Sequence, residues 1–216
     1  MVINQFKFIR KIKYFLKNYK KRFYIFDNLN ERSIFIDIGG NLGRISQYVN
    51  DVFNPKIIEI YEPHNSLYVN LKTVFKGNKN VFIFNKAVSN TDHEGYLYLK
   101  TDNSNDLRLL EGSSLEINKK NINKNIFQKT HLINIQNIID KYEYIDCIKI
   151  DIEGHEYKIF DSLVKSKDKI GKLICEFHGT DIDVKKNKNL EFRDSYIKNK
   201  DTINKLMRNG WLIPWD

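Results

Sequence analysis

The stretch "FIDIGGNLGRIS" has the residue types and spacing of a ligand-binding turn, because a short apolar strand runs through glycines into a predicted helix. Its glycines are Gly39, Gly40 and Gly43, and Asn41 stands where the dinucleotide fingerprint G-x-G-x-x-G needs its second glycine. The spacing therefore does not match a site for a pyrophosphate, which needs close backbone approach over a helix N-terminus. Asp37, just ahead of the glycines, would repel phosphate but could hold an ammonium group.

A second carboxylate completes the ligand pattern. Glu62 ends the apolar strand "IIEIYEP" about twenty residues further on, where a carboxylate can accept hydrogen bonds from both hydroxyls of a ribose. An ammonium site and a ribose site together predict a nucleoside that carries an amino acid, which is S-adenosyl-L-methionine, with S-adenosyl-L-homocysteine as its product. The alternative is a glycine turn that serves only the strand-to-helix geometry.

A further group of polar residues follows two later apolar strands, in "KIDIEGHE" and "CEFHG". In a doubly wound sheet the ligand lies beyond the carboxyl ends of the strands, so we expect these groups to face the methyl acceptor. Methyl transfer from a sulfonium is an in-line displacement, so its rate depends on how the acceptor oxygen is positioned against the methyl carbon. A general base raises the rate by a further factor of about 10² to 10⁴. The ionisable residues of this group are Asp151, Glu153, His155, Glu156, Glu176 and His178.

His178 is the predicted general base, because imidazole has a reference pKa of about 6.5, and His155 is the reserve. Asp151 is assigned to both catalysis and the cofactor. Either histidine could instead be a structural group at the end of a strand. Asp151, Glu176 and His178 could also converge as ligands of a divalent metal ion, but we do not favour a metal, because Glu176 and His178 would have to point the same way.

The elements around these residues alternate between apolar strands and amphipathic helices, which predicts β-α-β units and a parallel sheet. "EGYLYLK" alternates apolar and polar residues, as an antiparallel or edge strand does, and Tyr96 and Tyr98 within it could stack on a sugar. Residues 101–129 are rich in Asn, Asp, Ser and Lys and predict a long loop or excursion that contains at most one short strand. Ser113 and Ser114 in this loop could cover the cofactor as a lid.

The chain has 216 residues and a formal net charge of +9, with lysines scattered along its length. Residues 6–26 predict a basic amphipathic helix that either contacts a membrane surface or a polyanion, or caps the domain. We therefore divide the chain into a helical extension, residues 1–30, and one methyltransferase domain, residues 31–216. No apolar run reaches the roughly 18 residues of a membrane span, and a signal-peptide cleavage site is missing, so we predict a cytoplasmic protein.

Five segments follow one another in the order and spacing of a known family: "FIDIGGNLGRIS", "YEPHNSLYVNL", "NKAVSNTDHEGYLYL", "CIKIDIEGHEYKIFDSL" and "LICEFHG". Over residues 33–179 the sequence resembles the FkbM-type S-adenosylmethionine-dependent methyltransferases, and "KIDIEGHE" is the most specific part of the resemblance. The resemblance implies an α/β class I methyltransferase fold, Rossmann-like, with a mostly parallel seven-stranded sheet flanked by helices. It also implies methyl transfer to oxygen, commonly a hydroxyl of a sugar or a natural product.

Carried over residue by residue, the resemblance implies three contact regions. The methionine end of the cofactor lies against Asp37, Gly39, Asn41 and Gly43, the ribose against Glu62 with Pro63 beside it, and the adenine near Lys86, Ala87 and Val88. Glu153, Glu176 and Ser114 are assigned to the acceptor. The chain ends six residues past Gly210, which leaves little room for the seventh strand.

A small sugar, nucleotide-linked or at the end of a glycan, is the predicted acceptor, since its phosphates would suit a basic surface. A nucleic-acid methyltransferase is one alternative, motivated by the net charge. Base-modifying enzymes are expected to carry an Asn-Pro-Pro-Tyr or a Cys-containing loop where "DIEGHE" stands here, so we predict no stable nucleic-acid partner. A catalytically silent binding module of the same fold is the other alternative.

Overall fold

The structure is a computed structural model that describes residues 23–100, 107–180, 185 and 190–215. Residues 1–22, which include most of the helix predicted over residues 6–26, lie outside the described residues, as does the start of the predicted loop, residues 101–106. The described end of the N-terminal extension begins with a 3-10 helix, Phe23–Phe26. Among the described residues, no helix has the length and apolar character that crossing a bilayer requires.

Among the described residues, nine strands form two sheets. They are β1 (Ile34–Ile38), β2 (Ile57–Tyr61), β3 (Val81–Phe84), β4 (Ala87–Ser89), β5 (His93–Leu99), β6 (Asn123–Asn134), β7 (Ile145–Ile150), β8 (Ile170–Cys175) and β9 (Leu212–Pro214). The main sheet has the order β3-β2-β1-β7-β8-β9, and every neighbouring pair in it is parallel. The prediction of a mostly parallel sheet flanked by helices is confirmed.

The predicted strand number needs a correction, because the main sheet has six strands among the described residues and not seven. The described residues after Gly210 form β9, which pairs in parallel with β8 at the edge of the sheet.

Helices cover both faces of the main sheet, as a parallel sheet requires. They are α1 (Arg44–Phe53), α2 (Asn65–Val74), α3 (Ile135–Ile139), α4 (Glu156–Lys165) and α5 (Arg193–Arg208). Successive residues of β1 point to opposite faces. Phe35 packs with Val49 of α1 and Leu71 of α2, whereas Ile36 packs in a second core with Ile159 of α4.

The smaller sheet has the order β4-β6-β5, with β5 antiparallel to β6 at its edge. The prediction for "EGYLYLK" is therefore confirmed. The predicted loop allowed only one short strand, whereas β6 begins at Asn123 and runs for 12 residues. Its first residues, "NKNIFQK", are largely exposed and polar, so strand formation there depends on pairing with β5 and not on apolar residues of its own.

Gly154 and Gly77 both have left-handed backbone, with φ of 106° and 91°, but only Gly154 is enclosed. A Cβ on Gly154 would lie 2.1 Å from the Phe192 ring, and a Cβ on Gly77 would meet nothing within 4 Å. We expect Gly154→Ala to lower the free energy of unfolding by about 3 kcal/mol, from strain and overpacking together. Gly77→Ala should lower it by about 1 kcal/mol, from strain alone. Urea unfolding of both variants checks this, and equal losses would contradict it.

Candidate active site

A cleft of about 620 Å³, counting space open to solvent, lies where the segments after β1, β2 and β7 meet the start of β4. Residues 110–115 close it from the other side. Predicted site residues that line the cleft are Gly39, Asn41, Glu62, Pro63, Lys86, Ala87, Val88, Ser113, Ser114, Asp151 and Glu153. Predicted cofactor, catalytic or acceptor residues that do not line it are Asp37, Gly43, His155, Glu176 and His178.

The glycine turn brings the backbone after β1 close to the backbone after β7. Gly39 has a φ of 80°, and a Cβ there would lie 1.8 Å from the carbonyl oxygen of Asp151, so only glycine fits. The amides of Gly39 and Gly40 both donate to the carbonyl of Tyr61, at 2.9 and 3.1 Å. This ties the turn to the end of β2, where Glu62 follows.

Gly43 does not fit its predicted place at the methionine end of the ligand. A Cβ on Gly43 would lie 2.6 Å from Leu71 and 2.9 Å from Phe75, both at α2 and its C-terminus. Glycine at this position allows the start of α1 to pack closely against α2, and Gly43 therefore faces α2 and not the cleft.

Glu62 is buried at the end of β2, and two backbone amides fix its carboxylate. Oε2 accepts from the amide of Asn41 at 2.8 Å, and Oε1 accepts from the amide of His64 at 2.8 Å. Burial raises the pKa of Glu62 to about 7, because desolvation outweighs these two hydrogen bonds. The carboxylate therefore stands in a fixed orientation in the cleft and changes charge near neutral pH.

Asp37 is fully buried and already paired, which does not fit its predicted contact with an ammonium group of the ligand. Oδ2 accepts from the hydroxyl of Ser46 at 2.6 Å, and Oδ1 lies 3.2 Å from Nζ of Lys149. Lys149 also donates to the carbonyl of Gly39 at 2.9 Å and lies 3.9 Å from Asp151. Although burial lowers the pKa of Lys149, the charges of Asp37 and Asp151 outweigh it and raise that pKa, so the lysine keeps its charge.

Glu153 forms the acidic rim of the cleft together with Asp151. It has left-handed backbone, with a φ of 58°, and its carbonyl accepts from the hydroxyl of Ser114 at 2.8 Å. Its Oε2 accepts from Nζ of the buried Lys119 and lies 3.2 Å from Nε2 of His178. Burial raises the pKa of Glu153, but these two cations outweigh burial and lower it to about 2.

His178 does not fit the predicted role of general base. Its Nδ1 lies 3.1 Å from Oε1 of the buried Glu156, and its Nε2 faces Glu153. Burial lowers the pKa of His178, but Glu156 and Glu153 outweigh it and raise the pKa to about 12. An imidazolium that keeps its proton at neutral pH cannot accept another, so His178 acts as a fixed cation between two carboxylates. Glu156 in turn accepts from the amides of Ile152 and Gly154, which shapes the turn after β7.

His155 and Glu176 also lie away from the cleft. The Nδ1 of His155 lies 2.7 Å from Glu116, and its Nε2 lies 2.9 Å from the hydroxyl of Ser89. His155 lines a second cavity, on the other side of Leu115. Burial, aided by the charge of Asp151, raises the pKa of Glu176 to about 8. Lys119 and Glu116 were not among the predicted site residues, because the irregular segment that carries them has no period to mark buried positions.

One cluster has a donor set that suits a divalent cation. Asp151, Glu153 and His178 each offer a ligand atom, and these atoms lie within 4.8 Å of one another. The predicted metal set had Glu176 in place of Glu153. Lys119 and His178 already neutralise Glu153, so these side chains have a satisfied arrangement that involves no metal.

The sequence matches a family model, and two solved structures resemble the chain. The family model Methyltransferase FkbM domain matches residues 37–201. Methyltransferase FkbM from Methylobacillus flagellatus KT is a similar solved structure, with 12% identity over 65% of this chain and 31% of that chain and a TM-score of 0.44. This chain therefore spans about a third of that protein's length. An rRNA methylase from Streptococcus thermophilus has 11% identity over 79% and 74% of the two chains, with a TM-score of 0.42. No curated protein matches the chain.

The state of His178 can be measured directly by NMR. We expect its ring signals, assigned with a His178→Gln variant, not to titrate between pH 6 and pH 9, because its pKa is raised to about 12. Glu153→Gln removes one of the two carboxylates and should lower that pKa, whereas the control Glu116→Gln should leave it unchanged. Titration of the wild-type ring near pH 6.5 would restore His178 as a candidate base.

Proposed function

This chain belongs to the FkbM methyltransferase family, and on that premise we propose that it transfers the methyl group of S-adenosyl-L-methionine to a hydroxyl oxygen of a sugar. The observation that carries the proposal is the carboxylate of Glu62, buried in the cleft and oriented by the amides of Asn41 and His64. A carboxylate held in this way can accept hydrogen bonds from the two hydroxyls of a ribose.

The rest of the cleft supports an adenosyl ligand around Glu62. Ala87, Val88 and Leu97 give an apolar wall beside the carboxylate, which suits an adenine ring. Gly39 and Asn41 border the cleft between β1 and β7, where we place the methionine part. Because Asp37 is paired with Lys149, Asp37 has no role as a ligand in this proposal.

The rim supports a hydroxyl acceptor rather than a phosphate-rich one. Asp151 and Glu153 line the end of the cleft, and Ser114 stands beside them. Carboxylates accept hydrogen bonds from hydroxyl groups, whereas two neighbouring negative charges repel the phosphates of a nucleic acid. This argument favours a sugar acceptor over RNA, although the chain as a whole is basic.

We assign the role of general base, which accepts the proton of the acceptor hydroxyl, to Asp151 in place of His178. The pKa of Asp151 is raised by burial and by the charge of Glu153, against the opposing charge of Lys149, and a carboxylate with a raised pKa is the better base. The acceptor oxygen becomes strongly acidic only as the methyl group bonds to it, so such a carboxylate can take the proton late in the reaction. The remaining rate enhancement comes from holding the two reactants in position.

Cofactor binding should depend on pH through Glu62. With a pKa of about 7, its ionised fraction rises about tenfold between pH 6 and pH 8, and only the carboxylate accepts from both ribose hydroxyls. We expect the affinity for S-adenosyl-L-homocysteine, measured by calorimetry, to rise about tenfold over that range. Glu62→Gln should weaken binding at pH 8 and flatten the profile, and the exposed control Glu94→Gln should do neither. An unchanged profile in Glu62→Gln would contradict the ribose assignment.

Transfer of labelled methyl groups tests the reaction itself. We expect label from S-adenosyl-L-methionine to enter a pool of nucleotide sugars and glycans and not RNA, and label in RNA alone would overturn the acceptor class. Asp151→Asn should lower kcat by about 100-fold or more, with the dissociation constant of S-adenosyl-L-homocysteine within about threefold of wild type. A comparable loss of cofactor affinity would instead assign Asp151 to the ammonium group of the cofactor.

A further inference from the structure

A second pocket lies beside the cofactor cleft and has no role in the reaction proposed above. It encloses about 680 Å³, counting space open to solvent, between the smaller sheet and the start of α4. His93 and Gly95 of β5 line one side, and His155 and Lys158 at the start of α4 line the other. Ser89, at the end of β4, lies between them.

The wall between this pocket and the cofactor cleft is thin, and at one place it is a single residue. Leu115 lines both cavities. Tyr98, which lines the pocket, is paired through two backbone hydrogen bonds of 2.9 and 3.0 Å with Ser114, which lines the cleft. On the other side, Glu153 lines the cleft and His155, two residues on, lines the pocket. A ligand in the pocket therefore lies next to the rim where the acceptor oxygen is proposed to stand.

The two cavities differ in charge. The cleft is lined by four acidic residues, which are Glu62, Glu111, Asp151 and Glu153, and by one lysine, Lys86. Among the described residues that line the second pocket, none is an aspartate or glutamate, while Lys158 and two histidines are present. The residues that line the two cavities therefore favour an anionic group in the second pocket over the rim of the cleft.

The polar side chains of the pocket are of two kinds: His155 is held in place by hydrogen bonds, and Lys158 is exposed. Glu116, which does not line the pocket, fixes the ring of His155 through Nδ1, and Ser89 contacts Nε2. Lys158 is exposed on the first turns of α4, so its side chain can turn toward an anion. A lysine ammonium is a common point contact for phosphate.

We propose that the second pocket binds the diphosphate of a nucleoside diphosphate sugar, whose sugar extends past Leu115, the residue that lines both cavities, to the rim of the cofactor cleft. This rests on the proposed function, because it specifies which sugar derivative the methyltransferase accepts. The phosphates lie in the basic pocket, and the hydroxyl to be methylated lies at the acidic rim. A single acceptor of this kind thus places its negative phosphates beside basic residues and its neutral hydroxyl beside carboxylates.

Binding of UDP, GDP and ADP to the protein saturated with S-adenosyl-L-homocysteine tests the proposal by calorimetry. We expect at least one diphosphate to bind, its free nucleoside to bind at least tenfold more weakly, and pyrophosphate to compete. Lys158→Ala should weaken diphosphate binding about tenfold. The matched control Lys165→Ala removes a lysine from the other end of the same helix and should change nothing.

The affinity for S-adenosyl-L-homocysteine separates the two proposals. Both lysine variants should keep it, which also shows that they fold. If that compound binds and no diphosphate does at millimolar concentration, the second pocket has been assigned wrongly and the cofactor site stands. Diphosphate binding that Lys158→Ala leaves unchanged, or a nucleoside that binds as tightly as its diphosphate, would equally overturn the assignment. Failure to bind S-adenosyl-L-homocysteine would instead remove the proposed function.

Discussion

The buried ammonium group of Lys149 holds the functional edge of the main sheet together. Asp37 and Lys149 are register partners on the neighbouring strands β1 and β7, and their side chains form an ion pair beneath the cleft. The same ammonium group donates to the carbonyl of Gly39 and lies near Asp151. Removing one partner of a buried pair leaves an uncompensated charge, which costs about 3–5 kcal/mol. The glycine turn and the acidic turn therefore keep a fixed relation to each other, which an in-line displacement requires.

Charge is arranged unevenly around this edge, and the arrangement determines which groups can do chemistry. Glu153 is the most fully compensated carboxylate of the rim, since Lys119 and His178 both contact it, and its lowered pKa makes it a weak base. Asp151 has one cation at 3.9 Å and a raised pKa. The rim thus contains one carboxylate suited to hold hydroxyl groups and another suited to accept a proton, and their neighbours decide which is which.

The fold could be predicted from the sequence where it depends on neighbouring residues or on a repeated pattern of apolar residues. Continuous apolar strands gave the parallel sheet, and the spacing from the glycines to Glu62 placed that carboxylate in the cleft. Roles that depend on neighbours distant in the sequence could not be predicted. Asp37 has a suitable position in "FIDIGG", but its pairing with Lys149 depends on strand register. His178 has a suitable reference pKa, but Glu153 and Glu156 set its actual charge. Lys119 lies in a segment with no periodicity.

The strained backbone of Glu153 shows how these distant parts depend on one another. A left-handed residue other than glycine costs of order 1–3 kcal/mol, so its surroundings must hold it there. Ser114 holds its carbonyl and Lys119 its carboxylate, and both belong to the irregular segment that closes the cleft. That segment also provides Leu115, which separates the cleft from the second pocket. The irregular segment therefore supports the acidic rim, forms part of the wall between the two cavities and contributes to the lining of both.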